Sequence, residues 1–177
     1  MTYKIIIPAR FGSSRLPGKP LSIIGDKPMI QHVWNRASES AADRIIVATD
    51  DPCIQKVCND FGAECLLTQK DHQSGSDRIV EVCKKLDFND NDIIVNLQGD
   101  EPFMSPVLID ELVANKKKFP SVGVATMCKI IEDISIFANP SVVKVEFHDN
   151  GIAKFFRRVH EPIQSDNGVL GLSLIHI

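Results

Sequence analysis

Short apolar runs alternate along this chain with longer segments in which apolar residues recur every three to four positions. The first run, at residues 3–7, is too short for a helix and rich in β-branched side chains, so it predicts a buried strand. Residues 44–49, 64–67, 93–97 and 122–127 predict further strands. Met29, Ile30, Val33, Trp34 and Ala37 fall at helical spacing and predict a helix over 27–41, with Pro28 in its first turn. Asp50-Asp51-Pro52 has the pattern of an N-cap before a helix over 53–61, which Gly62 closes. Ile79, Val82, Cys83 and Leu86 mark a helix after Gly75. Residues 107–117 predict another, and 131–137 a short one. Residues 141–147 and 151–156 predict a hairpin turning at Asn150-Gly151. Strands alternating with helices in this way predict an α/β fold, Rossmann-like, three-layered and mostly parallel, with a β-hairpin near the C-terminus. No repeat or linker divides the chain, so a single domain over 1–177 is expected.

The loop after the first strand carries the first candidate chemistry. Pro8 has no amide to donate, so the ladder is expected to end there. Gly12, Ser13 and Ser14 follow, among Arg10, Arg15 and Lys19. Pro17-Gly18 suits a type II turn, with Gly at the position that needs positive φ. In open α/β sheets, ligands bind at the C-terminal strand edge, where this loop lies. The common phosphate loops do not fit. Five residues separate Gly12 from Gly18-Lys19 where the P-loop has four, and Pro20 stands in place of its Ser or Thr. Cationic side chains, helped by backbone amides, therefore supply the positive charge. A nucleoside triphosphate carries roughly four negative charges, and Arg10, Arg15 and Lys19 with one divalent metal offer about five positive ones.

Composition narrows the classes. The 177 residues are 44% hydrophobic with a net charge of −3, which suits one sizeable core and argues against non-specific nucleic-acid binding. No apolar run approaches the ~20 residues of a membrane span. The N-terminus enters a strand without the series of a signal peptide, making the cytoplasm the default compartment. Cys53, Cys58, Cys65, Cys83 and Cys128 form no C-x-x-C pair and are expected to be reduced and mostly buried.

Two downstream stretches change the picture. Asp71-His72-Gln73-Ser74-Gly75-Ser76-Asp77-Arg78 is a polar loop entering a helix, whose free amides and dipole suit an oxygen-rich ligand. Gln98-Gly99-Asp100-Glu101-Pro102 follows the central strand and puts carboxylates at its C-terminal edge. Mg2+ is commonly held by one or two carboxylates plus phosphate oxygens. Taken singly, each stretch is equally compatible with a solvated loop, a helix cap or a turn.

Together the motifs carry a family resemblance. Ile7-Pro8-Ala9-Arg10, Ser14-Arg15-Leu16-Pro17-Gly18-Lys19-Pro20-Leu21, Asp71-His72-Gln73-Ser74-Gly75 and Gln98-Gly99-Asp100-Glu101-Pro102 match in order and spacing. The chain resembles the 3-deoxy-manno-octulosonate cytidylyltransferase family, which makes CMP-Kdo from CTP and Kdo. Asn139-Pro140, Val143-Lys144-Val145 and Gly151 also fit, so the likeness covers roughly residues 3–158.

The resemblance implies a nucleotide-diphosphosugar-transferase type of fold, making 1–177 one nucleotidyltransferase domain. It implies attack by the anomeric 2-hydroxyl of Kdo on the α-phosphorus of CTP, loss of pyrophosphate, Mg2+ dependence and a place in lipopolysaccharide biosynthesis. Carried over by motif, Arg10, Arg15 and Lys19 hold the triphosphate. Ala9, Arg10, Ser76 and Arg78 lie around the cytosine and ribose. Asp100 is a Mg2+ ligand, and Gln98 touches nucleotide or sugar. Arg158 stands near the Kdo carboxylate, which suits its planar fork. Lys19, Arg10 and Asp100 are thereby the catalytic candidates. The mechanism is a displacement at phosphorus in which positioning and charge neutralisation dominate. No residue stands out as a general base; a second metal ion acting on the sugar hydroxyl is one hypothesis.

Arg157 stands where the family usually has Ser, and residues 159–177 depart from it further, Val159-His160-Glu161-Pro162 replacing an Ile-Pro segment. Family members also continue further and supply more of the sugar site, a second metal-binding Asp and dimer contacts. A C-terminally truncated chain is expected, binding CTP weakly and needing the remainder for turnover, with a homodimer for the full-length protein. CMP-sialic acid synthetases and sugar-1-phosphate nucleotidyltransferases are alternatives with different first loops, and a non-catalytic nucleotide-binding module is a third.

Overall fold

The computed structural model describes residues 2–12, 16–131, 133–158 and 170–176. It contains two compact units, Met1–Ala125 with Ile175–Ile177, and Thr126–Leu174.

In the first unit, β1 (Lys4–Ala9) leads through the first loop to the small antiparallel pair β2 (Ile23–Ile24) and β3 (Lys27–Pro28). Helix α1 (Met29–Ser38), β4 (Arg44–Thr49), α2 (Pro52–Asp60), β5 (Glu64–Leu67), α3 (Gly75–Lys85), β6 (Ile94–Leu97) and α4 (Pro106–Lys118) follow. The strand order is β5-β4-β1-β6, with every one of these pairings parallel. Beside β6, Ile175 and His176 pair antiparallel with Leu97 and Asn96. The chain thus winds from β1 outward through β4 and β5, then returns to the other side of β1 with β6. That reversal opens a crevice between the C-terminal ends of β1 and β6.

Burial follows the sequence pattern. Ile5, Ile6 and Ile7 are fully buried because β1 is central and covered on both faces. Ile6, Ile46 and Ala48 pack against Ile79 and Val82 of α3 on one face. On the other face α1 contacts β1, β4 and α4, and the Tyr3 hydroxyl donates to Asp110 on α4 at 2.5 Å. Each fully buried Ile contributes about 1.5–3 kcal/mol through removal of apolar surface from water.

Pro8 corrects one expectation. The ladder of β1 with β4 does not stop there but continues to the pair Ala9↔Thr49. Alternate residues of a parallel strand bond to opposite neighbours. The Lys4 amide donates to the Ile93 carbonyl, on the β6 side, so the missing Pro8 amide faces that side. There the pairing has already ended at Ile6↔Asn96.

Boundaries shift elsewhere for local reasons. Helix α1 starts at Met29 because residues 27–28 are taken up in the pair with β2, and Pro28 itself caps the helix in an extended conformation. Of the cysteines, all of them free, Cys58 and Cys65 are buried, Cys83 is half-buried, and Cys53 and Cys128 are exposed, so the expected burial holds for only part of the set.

The second unit comprises β7 (Thr126–Ile130), α5 (Ile134–Ala138), β8 (Lys144–Phe147), β9 (Ala153–Arg157) and residues 170–174 of β10 (Leu170–His176). The strand expected at 122–127 begins only at Thr126, because the Val122 amide turns back to the Phe119 carbonyl after α4. The helix expected at 131–137 begins at Ile134, where the Asp133 side chain caps it by accepting from the Ser135 amide. The expected hairpin forms as β8 paired antiparallel with β9, and Gly151 takes φ +82°, a conformation natural to glycine. The Lys144 ammonium is buried and donates to the Asn139 carbonyl at 2.7 Å, holding the Asn139-Pro140 corner.

Candidate nucleotide site

The crevice between β1 and β6 gathers most of the candidate residues. Ala9 ends β1 and is buried; Arg10 follows it and is exposed, with no partner among the described residues. Phe11 then organises the loop. Its carbonyl accepts from the Gly18 amide at 2.9 Å, and its ring lies under Gly18, where an added Cβ would stand 3.2 Å from it. Gly18 has φ +69°, a left-handed conformation that glycine adopts without a Cβ clash. A short 3-10 turn, Lys19–Leu21, then sets the direction of the Lys19 side chain. Arg15, together with the Ser13 and Ser14 amides, lies outside the described residues.

Across the crevice, Gly99 brings the end of β6 against β1. A Cβ at Gly99 would stand 2.9 Å from the Pro8 carbonyl oxygen, so only glycine lets the strands close to this distance. Asp100 is then in reach of the first loop: the Lys19 ammonium donates to Asp100 Oδ2 at 2.6 Å, with both groups partly solvated. Gln98 donates to the buried Asn96 side chain at 2.8 Å.

Asp100 and Glu101 differ although they are adjacent. Asp100 is exposed, whereas Glu101 is half-buried and its Oε2 is buried without a hydrogen-bond partner. Burial, reinforced by the Asp100 charge, pushes the Glu101 carboxyl up to about 7. Among the described residues no cluster of three or more His, Cys, Asp or Glu could cage a metal ion. The donor set fits Mg2+ nonetheless, since that ion keeps several waters and takes one or two carboxylates together with substrate phosphates.

The third wall is the start of α3. Gly75 lies against Pro8, with an added Cβ 3.4 Å from the ring. Ser74 caps the helix, accepting from the Asp77 amide while Asp77 accepts from the Ser74 amide. Ser76 is exposed in the first turn. Arg78 is buried: its guanidinium donates to the Thr68 hydroxyl, to the Gln69 carbonyl at 3.2 Å and to Asp50 Oδ2 at 3.2 Å. The loop before α3 is fastened by Glu81, which accepts from the Gln69 amide at 2.9 Å, pairs with His72 at 2.5 Å and with Lys85 at 2.7 Å.

Asp50 is the feature that sequence reasoning missed. Of the Asp50-Asp51 pair, Asp51 is the cap of α2, accepting from the Cys53 and Ile54 amides. Asp50 accepts instead from the Phe11 amide at 3.0 Å and from Arg78. The signal available was its position at the C-terminal end of a parallel strand beside β1. Arg158 follows β9 in the second unit and is exposed.

A profile described as cytidylyltransferase matches residues 4–175. The chain belongs to the cytidylyltransferase family. A relative from Pseudomonas syringae pv. tomato, a 3-deoxy-manno-octulosonate cytidylyltransferase, is 48% identical over 164 residues, which are 93% of this chain and 65% of the relative. One of the same description from Marinobacter nauticus is 46% identical over 94% of this chain and 64% of its own length. The chain thus spans just under two thirds of the length of these cytidylyltransferases. Among solved structures, a CMP:2-keto-3-deoxy-manno-octonic acid synthetase complexed with CTP superposes with a TM-score of 0.90 at 40% identity, covering 99% of this chain and 73% of that one. A 4-diphosphocytidyl-2C-methyl-D-erythritol synthase, at 14% identity and a TM-score of 0.65, shares the fold. Among the described residues no helix is long and apolar enough to cross a membrane.

Proposed function

We propose that the chain supplies the nucleotide site of an enzyme that activates Kdo with CTP, releasing pyrophosphate and forming CMP-Kdo. The single observation that carries this reading is the meeting of Lys19 with Asp100 across the β1–β6 crevice, in a chain 46–48% identical to relatives of that description. Cation and carboxylate are paired at the crevice where phosphates and their metal belong.

Arg10, Arg15 and Lys19 are assigned to the triphosphate, where fixed cations neutralise charge that shifts towards the departing pyrophosphate. Asp100 is assigned to a Mg2+ ion, which supplies further neutralisation of the same phosphates when bound. Ala9, Ser76, Arg78 and Gln98 are assigned to the nucleotide, and Gln98 also to the sugar. Arg158 is assigned to the Kdo carboxylate, a group its planar fork recognises. Held in this way, the triphosphate would present its α-phosphorus for in-line displacement.

Pyrophosphate release with CTP and Kdo, measured on the chain joined to the C-terminal portion of such a relative and compared with other nucleoside triphosphates and with sialic acid, tests the proposal. Release confined to the CTP–Kdo pair is the expected result. Equal release with another nucleotide, or with sialic acid in place of Kdo, overturns the substrate assignment. No release with any pair, alongside tight nucleotide binding, identifies the chain as a binding module.

A further inference from the structure

We infer that Asp50 is a positioning residue for the triphosphate site, acting through the backbone of Phe11. One carboxylate oxygen accepts from the Phe11 amide at 3.0 Å, and the other accepts from Arg78 at 3.2 Å. The side chains of Arg78 and Asp50 retain only 4% and 13% of their exposure, so this pair is shielded from water and salt. A hydrogen bond with a charged acceptor is stronger than a neutral one, which suits a fixed anchor.

The Arg78 guanidinium is itself held. It donates to the Thr68 hydroxyl and to the Gln69 carbonyl, and Thr68 in turn donates to the carbonyl of Thr49, the last residue of β4. The anchor is therefore built from the sheet edge outward. At the other end, Phe11 joins both legs of the first loop. Its amide is held by Asp50, its carbonyl receives the Gly18 amide at 2.9 Å, and Arg10 and Lys19 flank those two points. Moving the Phe11 peptide moves both cations together. Asp50 touches no reacting atom in this arrangement; it sets where the loop cations stand.

This inference rests on the cytidine triphosphate reading above, and calorimetric titration of the folded chain separates the two. Wild-type chain with Mg2+ is titrated with CTP and with CMP, beside Asp50→Ala, Asp50→Asn and Asp51→Ala. Asp51→Ala removes the cap of α2 and serves as the control for lost stability alone. The expected result is a fall of about tenfold in CTP affinity for Asp50→Ala and of about threefold or more for Asp50→Asn, which keeps a neutral acceptor for the Phe11 amide, with a change within about twofold for CMP and wild-type affinity for Asp51→Ala. The differential arises because misplaced loop cations chiefly lose the outer phosphates, which CMP lacks. CTP binding within about twofold of wild type in a folded Asp50 variant overturns the inference, as does an equal loss for CTP and CMP. Should Asp50→Ala fail to fold, Asp50→Asn decides by the same criterion. Wild-type chain that binds no CTP overturns the functional reading itself.

Discussion

The Lys19 ammonium stands 2.6 Å from Asp100 Oδ2, closing the first loop onto the end of β6. Both side chains keep a third to a half of their exposure, and such pairs are worth about 0–1 kcal/mol. The contact therefore explains little of the stability, and its place at the crevice explains more. On the proposed reading, Asp100 would exchange its Lys19 partner for the metal, and Lys19 would pass to phosphate.

Substitution of Lys19 by Met separates those roles. The variant is expected to unfold in urea with stability within about 1 kcal/mol of wild type. Its affinity for CTP with Mg2+ falls about tenfold or more through loss of a charge-assisted contact. Mn2+ binding to the nucleotide-free protein, followed by electron paramagnetic resonance, strengthens because Asp100 is released. Unchanged CTP affinity would show that Lys19 does not reach the phosphates.

Gly99 makes a second prediction by packing alone. An added methyl would stand 2.9 Å from the Pro8 carbonyl and 3.5 Å from the Ala9 side chain. Neither backbone can turn aside, so Gly99→Ala costs about 1–3 kcal/mol in chemical denaturation. Gly12→Ala is the matched control, since nothing among the described residues lies within 4 Å of the added atom there, and it should stay within about 0.5 kcal/mol. Equal stability of the two variants would mean that β1 and β6 are less tightly apposed.

The Glu81 carboxyl gives a pH signature. Burial raises it, but its bonds to Lys85, His72 and the Gln69 amide outweigh that and hold it at about 2, below its ordinary 4.5. A depressed native value means the folded state releases the proton more readily than the unfolded chain. The stabilisation is therefore complete above the unfolded value and is lost as pH falls from about 4.5 towards 2. Glu81→Gln is expected to cost about 1 kcal/mol near neutral pH. The gap to wild type in urea titrations should hold steady above about pH 5.5 and narrow below it. A gap that widened on acidification would contradict the assignment.

Much of this was legible in the residues themselves. The apolar triplet Ile5-Ile6-Ile7 announced a strand covered on both faces, and the order of strands and helices announced a parallel sheet whose C-terminal edge binds ligands. Gly99 and Gly18 stand where close approach and positive φ require them. Asp50 was not legible, because two adjacent aspartates offer the same cap chemistry and only the path of α2 decides that Asp51 takes it. The ladder through Pro8 was hidden for a related reason. A proline disrupts the side its amide would face, and whether that breaks the ladder depends on where the β6 pairing stops. Val122 was claimed by the turn after α4, so its β propensity did not extend the strand. The contrast between Asp100 and Glu101 comes from burial, which neighbouring residues in sequence do not specify.

Asp100 carries the central claim, that this crevice is a CTP site completed by a divalent cation. The most direct measurement is calorimetric titration of the wild-type chain and of Asp100→Asn with CTP, ATP, GTP and UTP, each with and without Mg2+. The account predicts that wild type prefers CTP at least about tenfold and binds it more tightly with Mg2+, and that Asp100→Asn keeps the CTP preference while losing the gain from the metal. Wild-type binding that is indifferent to the base, or an Asp100→Asn variant with the same Mg2+ dependence as wild type, would contradict it.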